Sequence, residues 1–236
     1  MSDATIHFPR GFLWGTATAA HQVEGNNTNN TWYAWENTPG RIIEGQKAGQ
    51  ACDWWGGRWK EDFDRAEETR QNAHRFSVEW SRIQPTPDTW DDEALMVYAE
   101  MARDLVHRGM TPLVTLHHFT DPLWFAEKGG WENPDAPQLF AAYVSHTVDK
   151  LKEYVNLWIT INEPNVFVLS GWLGQVFPPG KTGLNQVVQP FIHLVQGHAL
   201  AYQVLHNLQP EAQVGTATNY RSMLPARSWS LLDRTL

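Results

Sequence analysis

Five short apolar, β-rich runs recur along this chain, each ending in polar residues. They are Phe12–Ala17, His74–Trp80, Pro112–His118, Leu157–Asn162 and Gln213–Thr218. Helical patterns lie between them. Glu93–His107 places Leu95, Tyr98, Ala102 and Leu105 at helical spacing and ends at Gly109, a predicted C-cap. Phe140, Tyr143, Val144, Thr147, Val148 and Leu151 repeat that period. A third helix is expected after Pro190, running through Leu194, Val195, Ala199, Tyr202 and Leu205, with the proline in its first turn. Asp62–Asn72 is polar and reads as a helix with a narrow buried face. Strands alternating with helices specify βα units and a parallel sheet.

The spacing sets how much of such a fold the chain can hold. The first run begins near residue 12 and the fifth near 213. That is about 50 residues per βα unit, so a closed eight-unit barrel at this pitch needs about 400. The chain has 236. The expected fold is α/β: the N-terminal half, about strands 1–5, of a (β/α)8 TIM barrel. Residues 1–236 are read as one partial barrel that stops after about the fifth strand, with the tail Ser222–Leu236 leaving that strand. Gly25–Asn30 and Phe177–Gly183 are loops following strand ends. In a barrel such loops form the rim of the active site.

Composition narrows the partners. There are 18 basic and 26 acidic residues, a net charge of −8 with no basic cluster, so neither nucleic acid nor an anionic membrane is an expected partner. No stretch approaches the roughly 18 apolar residues of a membrane span. The lone Cys52 excludes an intrachain disulfide and suits a reducing compartment. The first ten residues lack an apolar signal-peptide core, and a cytoplasmic location is expected. The Asn-Asn-Thr sequons at 26–28 and 29–31 carry no weight without secretion. The 13 Trp residues stand out. Each taken singly reads as core packing, but so many lean towards a carbohydrate ligand, whose C–H faces stack on indole.

The chemistry concentrates at Leu157-Trp158-Ile159-Thr160-Ile161-Asn162-Glu163-Pro164. This is a buried strand with a carboxylate at its C-terminal tip. Pro164 is read as stopping the strand and opening a loop. In parallel α/β folds the chemistry gathers at that end of the strands. A carboxyl group held there among apolar and aromatic residues is suited to proton donation. Glu163 is therefore the first candidate for a catalytic acid; on the octapeptide alone, a surface Glu capping the next loop is the other reading.

Other strand ends carry matching groups. Gln22, after the first strand, offers a donor and an acceptor to paired hydroxyls, or satisfies its own loop backbone. Arg75 on the second strand can orient a carboxylate bidentately. The third strand ends in His117-His118-Phe119. Adjacent strand residues point to opposite faces, so the two histidines are a poor pair for one metal. One can bind a hydroxyl, with Phe119 beside it for stacking. Neither a phosphate-cradling glycine motif nor H-E-x-x-H is present, so no nucleotide, metal or organic cofactor is expected.

Together these segments resemble the family 1 glycoside hydrolases, the β-glucosidase and β-galactosidase family. The resemblance rests on Phe8–Gly25, Arg75–Ile83, Thr115–Pro122, Gly129-Gly130-Trp131 and Trp158–Pro164, and spans about residues 6 to 220. It implies a (β/α)8 barrel and retaining hydrolysis of β-glycosides. It implies the acid/base at Glu163, Asn162 on the sugar 2-hydroxyl, and Gln22 and His118 on hydroxyls further round the ring. Arg75 would steady the nucleophile carboxylate, and Asn219 matches a position near the site. Phe119 departs from the family's usual Trp. The family's nucleophile Glu, on a seventh strand, has no counterpart here. Retaining hydrolysis needs two carboxylates about 5–5.5 Å apart. Glu24, Glu79 and Asp121 are the substitutes within the chain, with structural roles preferred for all three. The expected partners are a β-glucoside or related saccharide and a complementary C-terminal half or a second copy. The alternative is a non-catalytic half-barrel, a sugar-binding or scaffold module that self-associates through its open edges.

Overall fold

The computed structural model describes residues 7–220 and 224–230. Of the tail Ser222–Leu236, residues 222–223 and 231–236 lie outside that range. Five strands form one sheet: β1 (Gly15–Ala17), β2 (Ala73–Ser77), β3 (Thr111–His117), β4 (Leu157–Asn162) and β5 (Gln213–Ala217). They lie in chain order and every pairing is parallel. All five sequence-predicted runs overlap a strand, with β4 matching at both ends and β2 and β3 each starting one residue earlier than expected.

The helices are α1 (Ala20–Val23), α2 (Thr31–Glu36), α3 (Trp59–Glu68), α4 (Trp80–Ile83), α5 (Asp92–His107), α6 (Leu123–Glu127), α7 (Ala136–Leu151), α8 (Pro164–Trp172) and α9 (Leu184–Leu208). The predicted stop of α5 holds. Gly109 takes φ 74°, and Met110 N–H returns to the Leu105 carbonyl at 2.9 Å, closing the last turn. Its start is fixed by Asp91, whose side chain accepts from Ala94 N–H at 2.9 Å. Two expectations about proline are corrected. Pro164 does not open a loop; it is the first residue of α8, where its missing N–H costs nothing. Pro190 is not in a first turn. It sits buried inside α9, which starts six residues earlier at Leu184 and continues past it.

The core lies between the sheet and its helices and is largely aromatic. Trp80 stacks on Tyr143 at 4.9 Å and meets Phe125 at 4.7 Å, with Trp131 and Phe140 alongside. Eight of the 13 Trp are buried, so the tryptophan excess is mostly a core feature. His117 points into this layer, where its Nε2 lies 3.0 Å from Asp121 Oδ1 and Trp131 Nε1 donates to the same oxygen. Among the described residues β1 and β5 are open edges. β1 is exposed along its whole length. One side of α9 exposes Leu184, Val188, Phe191, Ile192, Val195 and Tyr202.

Candidate active site

The tip of β4 carries the first group of functional side chains. Asn162, the last strand residue, is buried. Glu163 follows in the left-handed region, with φ 43° and ψ 59°, and caps α8. A non-glycine residue there is held against its preference by its surroundings. Its N–H bonds the Ala217 carbonyl of β5 at 2.6 Å, and its own carbonyl accepts from Phe167 N–H at 2.9 Å. These bonds aim the half-buried side chain at the end of β5. There Asn219 Nδ2 donates to Glu163 Oε1 at 3.0 Å. Asn165, in the first turn of α8, donates from Nδ2 to the Asn219 carbonyl at 2.9 Å.

Arg75 crosses from β2 to join this group. Its Nε donates to Thr115 Oγ1 on β3 at 2.8 Å, and an Nη2 hydrogen bond reaches Asn162 Oδ1. That bond leaves the Asn162 amide nitrogen available to a ligand. Burial holds the Arg75 pKa below its ordinary value, and the negative charge of Glu163 works against that shift. The guanidinium remains charged.

The second group surrounds a cavity of about 310 Å³. Gln22 on α1, and His118 and Phe119 after β3, line it. His118 is held neutral, its pKa pushed down to about 3 by burial and, less strongly, by the charges of Arg75 and His117. Its Nδ1 is buried and has no hydrogen-bond partner among the described residues. Phe119 meets His118 edge to face at 5.1 Å and, like Glu163, adopts a positive φ at a strand end, here 68°. Glu163, Asn162, Arg75 and Asn219 do not line this cavity. The seven sequence-predicted residues therefore fall into two neighbouring groups, with Arg75 near enough to His118 to depress its pKa.

The three substitute carboxylates are all engaged in packing. Glu24 is buried, bonded to Arg82 Nε and to the Tyr98 hydroxyl at 2.7 Å each. Glu79 is fully buried and accepts from Thr120 Oγ1 at 2.7 Å; burial, then the charge of Glu24, pushes its pKa up to about 8. Asp121 is the His117 and Trp131 partner described above. Sequence reasoning missed Asn165, Trp32 and Ile42. Asn165 directly follows the Asn-Glu-Pro motif, and that adjacency was the available signal. Trp32 lies in α2 and Ile42 in the loop that follows it, and only the folded chain reveals that they meet the strand ends. Among the described residues no group of three or more His, Cys, Asp or Glu is placed to hold a metal ion, and no helix is long and apolar enough to cross a membrane.

A parallel βα sheet that gathers carboxyl, amide, guanidinium and imidazole groups at one end of its strands is the arrangement of barrel enzymes. Comparison with known proteins gives the family. The profile of glycosyl hydrolase family 1 matches residues 4–233, and the chain belongs to that family. Beta-glucosidase A of Thermotoga maritima is 33% identical over 225 residues, covering 93% of this chain and 50% of its own length. Beta-glucosidase A of Acetivibrio thermocellus is 32% identical over 227 residues, covering 94% and 50%. The structure of the Thermotoga maritima beta-glucosidase in complex with glucoimidazole superposes with a TM-score of 0.92 at 33% identity, covering 97% of this chain and 53% of that one. The chain spans about half the length of these relatives. Its five-stranded parallel sheet bears out the expected partial TIM-barrel architecture.

Proposed function

We propose that this chain carries the acid/base half of a retaining β-glycosidase site. The observation that carries the reading is the position of Glu163: at the tip of β4, with its carboxyl held by Asn219 and flanked by the Arg75–Asn162 pair. In this reading Glu163 protonates the glycosidic oxygen as the bond to the anomeric carbon breaks. A second carboxylate attacks that carbon from the opposite face and forms the glycosyl-enzyme ester. Glu163 then takes a proton from water as the water displaces the ester. Asn162 offers its free amide to the sugar 2-hydroxyl, and neutral His118 and Gln22 hold hydroxyls round the ring. Charged Arg75 keeps one face of its guanidinium for the nucleophile carboxylate. Glu24, Glu79 and Asp121 are committed elsewhere, so the nucleophile comes from a complementary half or from another copy of the chain. The lone, exposed Cys52 fits a reducing, cytoplasmic setting.

A second reading, a non-catalytic sugar-binding or scaffold half-barrel, is favoured by one observation: the open edges β1 and β5 beside the apolar side of α9. Release of nitrophenol from an aryl β-glucoside by the purified chain separates the two. Turnover that disappears in Glu163→Gln supports the catalytic reading and means that copies of this chain supply both carboxylates. No turnover alone, restored by adding the missing barrel half of a family 1 relative, supports the complementary-half reading. No turnover in either case leaves the binding module as the function.

A further inference from the structure

Gln22 and His118 reach the 310 Å³ cavity from different segments, α1 and the end of β3. Each lies two residues before a buried polar side chain, Glu24 and Thr120. Glu79 joins those two side chains. Thr120 Oγ1 donates to Glu79 Oε1 at 2.7 Å. On the other side, Glu79 N–H donates to the Tyr98 hydroxyl at 3.0 Å, and that hydroxyl donates to Glu24 Oε1 at 2.7 Å. Arg82 Nε holds the other Glu24 oxygen at 2.7 Å. A carboxylate at a helix N-cap ordinarily accepts from its own first turn. Glu79 occupies that position before α4 and makes no such bond; its side chain reaches to Thr120, 41 residues away.

The Glu79 carboxyl is fully buried, and its Oε2 has no hydrogen-bond partner among the described residues. The groups that face it are mostly acidic. Glu24 approaches from the end of α1, Asp121 from the segment after β3, Tyr98 from α5 and Tyr143 from α7. The cation is Arg82 of α4, already bonded to Glu24 and to the Gly25 carbonyl. An ionised Glu79 would leave one oxygen unsatisfied near two carboxylates of like charge, which burial makes costly. Burial, and then Glu24, push its pKa up to about 8, so it is mostly neutral at neutral pH. The neutral carboxyl still accepts from Thr120 through its carbonyl oxygen. Ionisation is relieved only by water reaching Oε2, and water there loosens the joint between Tyr98 and Thr120.

We propose that neutral Glu79 is a positioning residue of the sugar site. It ties the Gln22 and His118 segments together through Glu24 and Thr120, and so fixes the separation at which their side chains grip one ring. The proposal rests on the β-glycosidase reading and adds to it a residue that touches no substrate.

Two measurements on the purified chain test it. The backbone amide resonances of Gln22, His118 and Thr120, followed without sugar, should shift together between pH 6.5 and pH 9 with a midpoint near 8. Glu79→Gln, which cannot ionise, should abolish that shift. Calorimetry with methyl β-glucoside should show binding about tenfold weaker at pH 9 than at pH 6.5, the free energy of one hydrogen bond, and no such difference in Glu79→Gln. Thr120→Val removes the hydroxyl at nearly constant shape and should weaken binding about tenfold at pH 6.5, with Thr120→Ser restoring it. A role in packing alone would let these variants change the melting temperature without moving either pH profile. Resonances that stay fixed across pH 8, or binding that Thr120→Val leaves unchanged, overturn the proposal and leave the glycosidase reading intact. Resonances that move as expected in a chain that binds no glucoside at either pH overturn it through the reading on which it rests.

Discussion

Asn219 donates from Nδ2 to Glu163 Oε1 across 3.0 Å, joining the residue just beyond β5 to the carboxyl at the tip of β4. Asn165 holds the Asn219 backbone from the other side. The acid/base candidate is thereby oriented by the neighbouring strand and not by its own. In any active assembly, Asn219→Ala is expected to lower kcat by about tenfold to a hundredfold through misplacement of Glu163, with KM little changed. Asn165→Ala should act in the same direction and less strongly. Steady-state kinetics on an aryl β-glucoside and on an unactivated disaccharide check this, with the larger loss on the disaccharide. A raised KM with kcat unchanged would assign Asn219 to substrate binding instead.

Glu163→Gln keeps the shape and removes the proton. Turnover of unactivated β-glycosides should fall by about 10²–10⁴, the range for a general acid. Activated aryl glycosides, whose leaving groups need less protonation, should lose less in the glycosylation step. Unchanged turnover on unactivated substrates would remove Glu163 from the acid/base role.

How far the sequence reaches is visible in single residues. The strands were legible because runs such as Leu157–Asn162 combine β-branched residues with abrupt polar ends. α5 was legible because its period and its terminal Gly109 agree. α8 was not, because Pro164 signals both the end of a strand and the first turn of a helix, and only tertiary context chooses. The long connection from β1 to β2 was illegible beyond its loop residues. Its course depends on partners far along the chain, such as Arg82, which bonds Glu24 and the Gly25 carbonyl. The same holds at the site. Glu163, Asn162 and Arg75 were readable as types at strand positions. The Asn165–Asn219 bond spans 54 residues and is invisible until β4 and β5 lie side by side.

His118 should remain neutral across the working range. Its pKa of about 3 lies far below the ordinary 6.5, so its imidazole resonances should not titrate between pH 5 and 8. Its contribution to stability has the matching sign. The unfolded chain takes up a proton near pH 6.5 that folded His118 refuses, so stability is present above that pH and is lost as pH falls from about 6.5 towards 3. His74, pushed down to about 4 by burial, adds to the same loss. Denaturation midpoints measured from pH 7 down to pH 4 should fall. A His118 resonance titrating near pH 6.5 would show the ring to be solvated.

Glu79 produces the opposite slope. It is protonated in the fold up to about pH 8, whereas in the unfolded chain it ionises near 4.5. Between those values the folded state holds a proton that the unfolded state has lost, so stability falls as pH rises through this window and levels off above it. Glu79→Gln should remove this opposing slope, so that the variant gains stability relative to the parent as pH rises from 5 to 8. Denaturant midpoints at pH 5, 6.5 and 8 for both proteins give the comparison, and parallel curves would refute the assignment.

The open edges make the last prediction. Leu184, Val188, Phe191, Ile192, Val195 and Tyr202 lie on one exposed side of α9, and among the described residues β5 offers an unpaired outer edge close by. A contiguous apolar surface beside a free sheet edge favours association. The purified chain should elute as an oligomer or bind a hydrophobic dye strongly. Val188→Asp combined with Ile192→Asp should shift it towards monomer or abolish dye binding, while secondary structure is retained, since both side chains are exposed. The same pair of substitutions should block restoration of activity by a complementary barrel half, because that half would cover α9 and extend the sheet from β5. A parent chain that is monomeric, melts cooperatively and binds no dye would instead mean that this surface is stable in water without a partner.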